Sequence, residues 1–176
     1  FKGQQRKLCD WADVSRQKGF LALEESITVE TDPFVKKALT MLVDGVDIDV
    51  LKESLLLDIE LESDQQLRGA RIYEALGGYS PTIGIIGAVL GLIQAMANID
   101  DPSALGHGIA TAFVATTYGV GGANLFFIPV AHKLQAQIDN QVLMREMVVE
   151  GILAAANGEN PHNIARKLEA YTKASA

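Results

Sequence analysis

No lysine or arginine occurs between Glu74 and Lys133, and the only carboxylates in that interval are the neighbours Asp100 and Asp101. A soluble domain this short could hardly cover two such charge-free stretches on every side, which sets the ordinary soluble reading aside despite 48% apolar and 21% charged residues overall. Other absences narrow the chemistry. The lone Cys9 excludes an internal disulfide, and His107, His132 and His162 are too dispersed for a recognised metal spacing. There is no G-x-x-x-x-G-K-[ST] loop and no H-E-x-x-H, so no enzyme, cofactor or metal site is expected. A net charge of −7 argues against nucleic acid as a partner. Strand-like alternation, internal repeats and a secretory signal peptide are missing. Phe1 stands where an initiator Met would, so the sequence is expected to begin inside a longer protein.

What remains is a segregated chain. Ala75–Ile99 and Pro102–His132 are free of Lys, Arg, Asp and Glu. The first, if helical, runs roughly 37 Å at about 1.5 Å per residue, enough to cross a ~30 Å hydrocarbon core. The alternative is a helical hairpin buried in a larger soluble protein. Of the 15 basic residues, ten precede Glu74 and five begin at Lys133. Basic residues are retained on the cytoplasmic side, which puts both flanks in the cytoplasm and the Asp100–Ser103 connection outside. The expected fold is all-α: a cytoplasmic helical domain over 1–76, two transmembrane helices within 77–132 (about 79–99 and 105–131), and cytoplasmic helices over 133–176.

Local signals set the expected elements. Leu8, Trp11 and Val14 or Ser15 share a helix face, interrupted near Gly19. Asp32-Pro33 caps the next helix, which ends at Asp44-Gly45. Asp47 or Asp49 caps a long amphipathic helix carrying Leu51, Leu55 and Ile59 among Glu53, Asp58, Glu60, Glu62 and Asp64. Gly77-Gly78 is expected to stop it, with Pro81 opening the first span. The second span is expected to start near Leu105 and run to about Ala156, with Asn160-Pro161 capping a last helix.

Within the spans, Gly84-Ala88, Gly87-Gly91 and Ala115-Gly119-Ala123 place small residues at helix-packing spacing. Helices in lipid gain no hydrophobic drive to associate, so close backbone approach at such positions holds them together. Thr82, Gln94, Asn98, Thr111, Thr116, Thr117 and Asn124 are polar groups there, and apart from His107 the spans carry no residue that charges near neutral pH. An ion path normally needs a titratable intramembrane group, and the spans hold no carboxylate, so a conducting assembly must take one from a partner. Thr116 and Thr117 either line a path or bond the carbonyl one turn back. Pro129 must kink its helix or release a carbonyl.

Ser15-Arg16-Gln17-Lys18-Gly19-Phe20-Leu21-Ala22-Leu23-Glu24-Glu25 and Gly77-Gly78-Tyr79-Ser80-Pro81-Thr82-Ile83-Gly84-Ile85-Ile86-Gly87-Ala88-Val89-Leu90-Gly91-Leu92-Ile93 resemble the flagellar stator A subunit, MotA. Ala112-Phe113-Val114-Ala115-Thr116-Thr117-Tyr118-Gly119-Val120 and Gly158-Glu159-Asn160-Pro161 extend the likeness over nearly the whole chain. The resemblance implies the third and fourth of four transmembrane helices, in a ring of copies around a MotB-type single-span subunit whose Asp carries the ion. It implies a multi-pass protein of the bacterial inner membrane, in contact with membrane lipid, that turns ion flow into torque on the rotor protein FliG. Carried over by position, Arg16 and Glu24 face the rotor, with Lys18 and Glu25 as further candidates. Eight residues apart on one helix, Arg16 and Glu24 would lie within roughly 80° of each other. Pro81 and Pro129 match the coupling prolines, and Thr116 the channel-side threonine. Sodium-driven relatives tend to carry Thr where Ala88 stands, and a methyl offers no oxygen to a partly dehydrated cation, so proton drive is expected. A TolQ/ExbB-type transducer and a non-conducting scaffold are the competing readings.

Overall fold

The computed structural model describes residues 1–174, and among them every regular element is helical. Helix α1 spans Lys2–Lys18, a short 3₁₀ turn follows at Phe20–Leu23, and α2 covers Glu24–Val29. Helices α3 (Pro33–Val43), α4 (Ile48–Ala97), α5 (Pro102–Gly122), α6 (Ile128–Ala156) and α7 (Pro161–Ala174) complete the order, with a π-helical turn at Ala123–Phe127 joining α5 to α6. The chain divides into two compact units, one of residues 1–64 and 138–176, the other of residues 65–137.

The first unit has a conventional hydrophobic core. Leu8, Trp11 and Ala12 of α1 join Leu23, then Phe34, Val35, Ala38, Leu39 and Leu42 of α3. Leu51, Leu55 and Ile59 of α4, Met147, Val148 and Ile152 of α6, and Ile164 and Leu168 of α7 close it. The spacing explains the choice: each helix contributes positions three and four apart, which share one face. Full burial of a Leu or Ile contributes about 1.5–3 kcal/mol. Ser15, not Val14, takes the buried position on α1, and its hydroxyl donates to the Ala12 carbonyl at 2.9 Å.

The caps are side-chain chemistry. Asp32 accepts from the Phe34 N–H at 2.9 Å with Pro33 in the first turn, Asp47 accepts from Asp49, and Asn160 accepts from His162. Gly45 ends α3 at φ +71°, a left-handed conformation glycine adopts without a Cβ penalty.

Three expectations need correction. Gly77-Gly78 does not stop a helix and Pro81 does not start one, because α4 runs unbroken through both. Two glycines and a proline inside a helix cost about 1 and 3 kcal/mol apiece by intrinsic propensity. The stretch is apolar, though, and where water is scarce the peptide groups have no better partner than their own helix. The second span starts at Pro102 rather than near Leu105, because Asp101 caps it by accepting from the N–H groups of Ser103 and Ala104. Pro129 does not stand in a plain α-helix: the turn before it is π-helical, and the Ile128 N–H donates five residues back to Ala123. Such a turn is how the chain absorbs the donor that proline lacks.

Candidate functional site

In the second unit the apolar parts of α4 and α5 pack face to face along a strip of small residues. A Cβ added at Gly84 would lie 3.0 Å from the Ala115 carbonyl oxygen and from the Gly119 Cα. One at Gly119 would lie 2.7 Å from the Gly84 Cα, and one at Gly108 would lie 2.6 Å from the Ala95 Cβ. Gly87 meets the Ala115 methyl, and Gly91 meets the backbone of Gly108 and Ala112. The two backbones therefore touch directly. Ser80 adds a polar tie, its hydroxyl donating to the Gly119 carbonyl at 2.9 Å across 39 residues of sequence.

The strip is longer than the small-x-x-x-small pairs indicate. Gly77 sits against Ile128, and Ala95 against Gly108, so contact extends to both ends of the hairpin. The signal was present as a heptad, Gly77-Gly84-Gly91 on one helix and Gly108-Ala115-Gly122 on the other. Ala88 flanks this strip, half-buried.

Away from the strip both helices are bare. Ile83, Ile86, Leu90, Ile93 and Phe113 are each more than half exposed, and Leu125 is 84% exposed. Both helices are long and apolar enough to cross a membrane, and side chains of this kind are at home in lipid or against other apolar helices.

Several other polar side chains of the spans bond back onto their own helices. Thr116 Oγ1 donates to the Ala112 carbonyl at 3.1 Å and Thr117 Oγ1 to Phe113 at 2.8 Å. Thr111 and Asn124 also bond four residues back. Each hydroxyl hydrogen is spent locally, so what Thr116 and Thr117 offer a passing ion is oxygen lone pairs. Thr116 is half-buried beside the strip, and Thr117 is exposed.

The second candidate cluster lies in the first unit. Arg16 and Lys18 are in the last turn of α1, Glu24 and Glu25 in the first turn of α2, and all four are exposed. They are not on one helix. Gly19 separates them at φ 83°, ψ 169°, so the expected helical angle between Arg16 and Glu24 does not apply. That conformation is essentially restricted to glycine. Nothing lies within 4 Å of a Cβ there, so glycine serves the backbone and not space. Gly19→Ala is expected to destabilise the turn by about 1–3 kcal/mol. Thermal unfolding, with limited proteolysis between Lys18 and Glu24, checks this.

Beside this cluster Glu30 accepts from Lys7 at 2.9 Å and from the N–H groups of Thr31 and Asp32. Burial works to raise its carboxyl, but Lys7 and those backbone donors outweigh it and hold it below the ordinary carboxylate value. A carboxyl lowered in the fold stabilises at neutral pH, and that contribution is lost as pH falls through the folded value.

One constellation escaped the sequence reading. Glu62 of α4 is gripped by both Nη atoms of Arg145 on α6, with Nη2 to Oε1 at 2.8 Å, and Gln141 Nε2 reaches Oε1 at 3.4 Å. The Arg145 side chain is 13% exposed, and its Cζ lies 5.0 Å from the Phe34 ring centroid. Its trace in the sequence is the register Leu51, Leu55, Ile59, Glu62, a charge at the next core-facing position.

A model of the MotA/TolQ/ExbB proton channel family matches residues 26–147. The chain belongs to this family. It is 38% identical to Motility protein A of Bacillus subtilis (strain 168) over 94% of its length, covering 61% of that protein. It is 38% identical to Chemotaxis protein PomA of Vibrio alginolyticus, again over 94%, covering 64% of that protein. Its fold matches the structure of C. jejuni MotAB at a TM-score of 0.93 and 34% identity, over 97% of this chain and 67% of that one. The flagellar MotAB stator complex of Bacillus subtilis matches at 0.87 and 36%, over 95% of this chain and 66% of that one. The chain thus spans somewhat under two thirds of the curated MotA-family relatives named here.

Proposed function

We propose that this chain is the A subunit of a flagellar stator of the bacterial inner membrane, conducting protons together with a MotB-type single-span partner and converting their flow into torque on FliG. One observation carries the reading: two largely exposed apolar helices, packed backbone to backbone, offer hydroxyls, side-chain amides and the His107 imidazole but no carboxylate within their apolar stretches. A wall of that kind needs its titrating carboxylate from another chain, and the fold matches structures named as complexes of two Mot proteins. The long exposed apolar faces suit further copies in a ring, the partner helix and lipid. Residues 1–76 and 133–176 lie in the cytoplasm on this reading, by the placement of Lys and Arg.

Within that assembly Pro81 and Pro129 are the coupling positions, each costing its helix one backbone bond at the membrane's cytoplasmic end. Thr116 lines the channel, with Thr117 as a second oxygen source. Arg16 and Glu24, with Lys18 and Glu25 beside them, press on the rotor. Ala88 presents a methyl where sodium would want an oxygen, so protons are the driving ion. The relatives' motility and chemotaxis names favour the flagellar branch over a TolQ/ExbB-type transducer.

Two swimming assays test the reading. Motility supported by the full-length protein is expected to persist when sodium is removed; collapse without sodium overturns proton drive. Arg16→Glu and Glu24→Lys are each expected to cut swimming speed severalfold. Full motility in both single variants and in the double variant would remove these residues from the rotor contact.

A further inference from the structure

The threonines of α5 all bond back into their own helix, Thr111, Thr116 and Thr117 each to the carbonyl four residues earlier. Ser80 on α4 breaks that habit. The carbonyl one turn back would be that of Leu76, yet the hydroxyl crosses to the Gly119 carbonyl of α5 at 2.9 Å. Among the described residues between 75 and 132, this is the one side-chain hydrogen bond that joins the two helices. The approach depends on α5 having no side chain there. A Cβ at Gly119 would lie 2.8 Å from the Ser80 carbonyl oxygen, and one at Gly122 would lie 3.3 Å from its Oγ.

The acceptor is already engaged. The Ala123 N–H is shared between the carbonyls of Gly119 and Val120, and the Val120 carbonyl also accepts from Asn124 Nδ2 at 3.0 Å. Each of these two carbonyls therefore holds a side-chain donor beside its share of one backbone N–H. An oxygen that accepts a hydroxyl competes less well for an amide. Directly after them the helix widens into the π-helical turn Ala123–Phe127, ahead of Pro129. On α4 the residue after Ser80 is Pro81, whose missing N–H leaves the Gly77 carbonyl without its helical donor. One hydroxyl thus links the two places where the hairpin's helices depart from regular bonding. Loss of the π turn would re-aim the helix that follows by about 100°, one residue's rotation.

We infer that Ser80 is a positioning residue for the coupling of ion flow to torque: by occupying the Gly119 carbonyl it holds the π-helical turn in place and ties it to the Pro81 step of α4, so that the two proline segments change conformation together. This rests on the reading of Pro81 and Pro129 as coupling positions given above. The test uses the full-length protein assembled with its single-span partner. Ser80→Ala removes one oxygen, keeps the Cβ and substitutes a better helix former, so melting temperature and retention of the partner are expected to stay near wild type. Amide exchange over 123–128 in lipid bilayers is expected to quicken about threefold, the ratio that an average interhelical hydrogen bond in a membrane supports. Thr111→Val, which removes a hydroxyl bonded within its own helix, is expected to leave exchange over 123–128 unchanged. In cells and liposomes Ser80→Ala is expected to cut swimming speed severalfold while reducing proton flux much less, so that torque per proton falls. Wild-type exchange and swimming in Ser80→Ala would overturn the inference. Loss of the partner or a much lower melting temperature would also overturn it, since the bond would then be a packing tie alone. Pro81→Ala and Pro129→Ala separate the two claims. If both swim as wild type, the coupling reading fails; if they are impaired and Ser80→Ala is not, the role of Ser80 alone is wrong.

Discussion

Gly119→Leu is expected to abolish motility and to prevent the full-length protein from retaining its partner, while Gly106→Ala leaves both intact. The difference lies in what each new side chain meets. At Gly119 even the first carbon arrives 2.7 Å from the Gly84 Cα and 2.8 Å from the Ser80 carbonyl oxygen, and at Gly106 nothing stands within 4 Å. Backbone cannot rotate aside as a flexible side-chain tip can, so the helices must separate along the whole strip. Overpacking costs about 1–3 kcal/mol in ordinary cores. Here the upper end applies, because separated helices in lipid recover no hydrophobic energy and the Ser80 hydroxyl loses its acceptor. Gly108→Val should behave similarly, since its Cβ would reach 2.9 Å from the Ala95 backbone. Thermal stability of the purified protein in detergent measures the first effect, and co-purification of the partner the second.

The next largest effect concerns the first unit. Arg145→Ala removes the bidentate donor to Glu62 and the cation from the Phe34 ring. Breaking a buried pair costs about 3–5 kcal/mol. Glu62 keeps 42% of its side-chain exposure, so water relieves part of the loss and about 2 kcal/mol is expected. The double variant Arg145→Met with Glu62→Leu should recover most of this, since apolar replacements of similar volume need no partner. Trp11, the one tryptophan of the chain, is buried in the same core and reports the unfolding transition in denaturant. If Arg145→Ala and the double variant unfold alike, the pair is not what holds α4 to α6.

Much of the architecture was legible because it is written in local chemistry. The absence of Lys and Arg over 75–132 marks the hairpin, since charge in lipid is costly wherever it falls. Asp32, Asp47 and Asn160 mark helix starts through bonds that reach only two residues. What escaped was set by partners distant in sequence. Gly77-Gly78 and Pro81 read as punctuation under rules drawn from water-soluble helices, and those rules weaken where the peptide groups have no solvent to turn to. The Glu62–Arg145 grip spans 83 residues and depends on two helices meeting, which no window on either can display. The Arg16–Glu24 angle differs for a local reason: Gly19, visible in the sequence, breaks the helix between them, and helical periodicity does not carry across that break.

The central claim is that these helices form a channel wall without a carboxylate of their own inside the apolar stretches. It is tested most directly by proton flux into liposomes containing the full-length protein, alone and with its single-span partner. The account predicts no flux above empty liposomes for the protein alone, flux when the partner is present, and loss of that flux when the partner's membrane aspartate is changed to asparagine. Equal flux with and without the partner would contradict it.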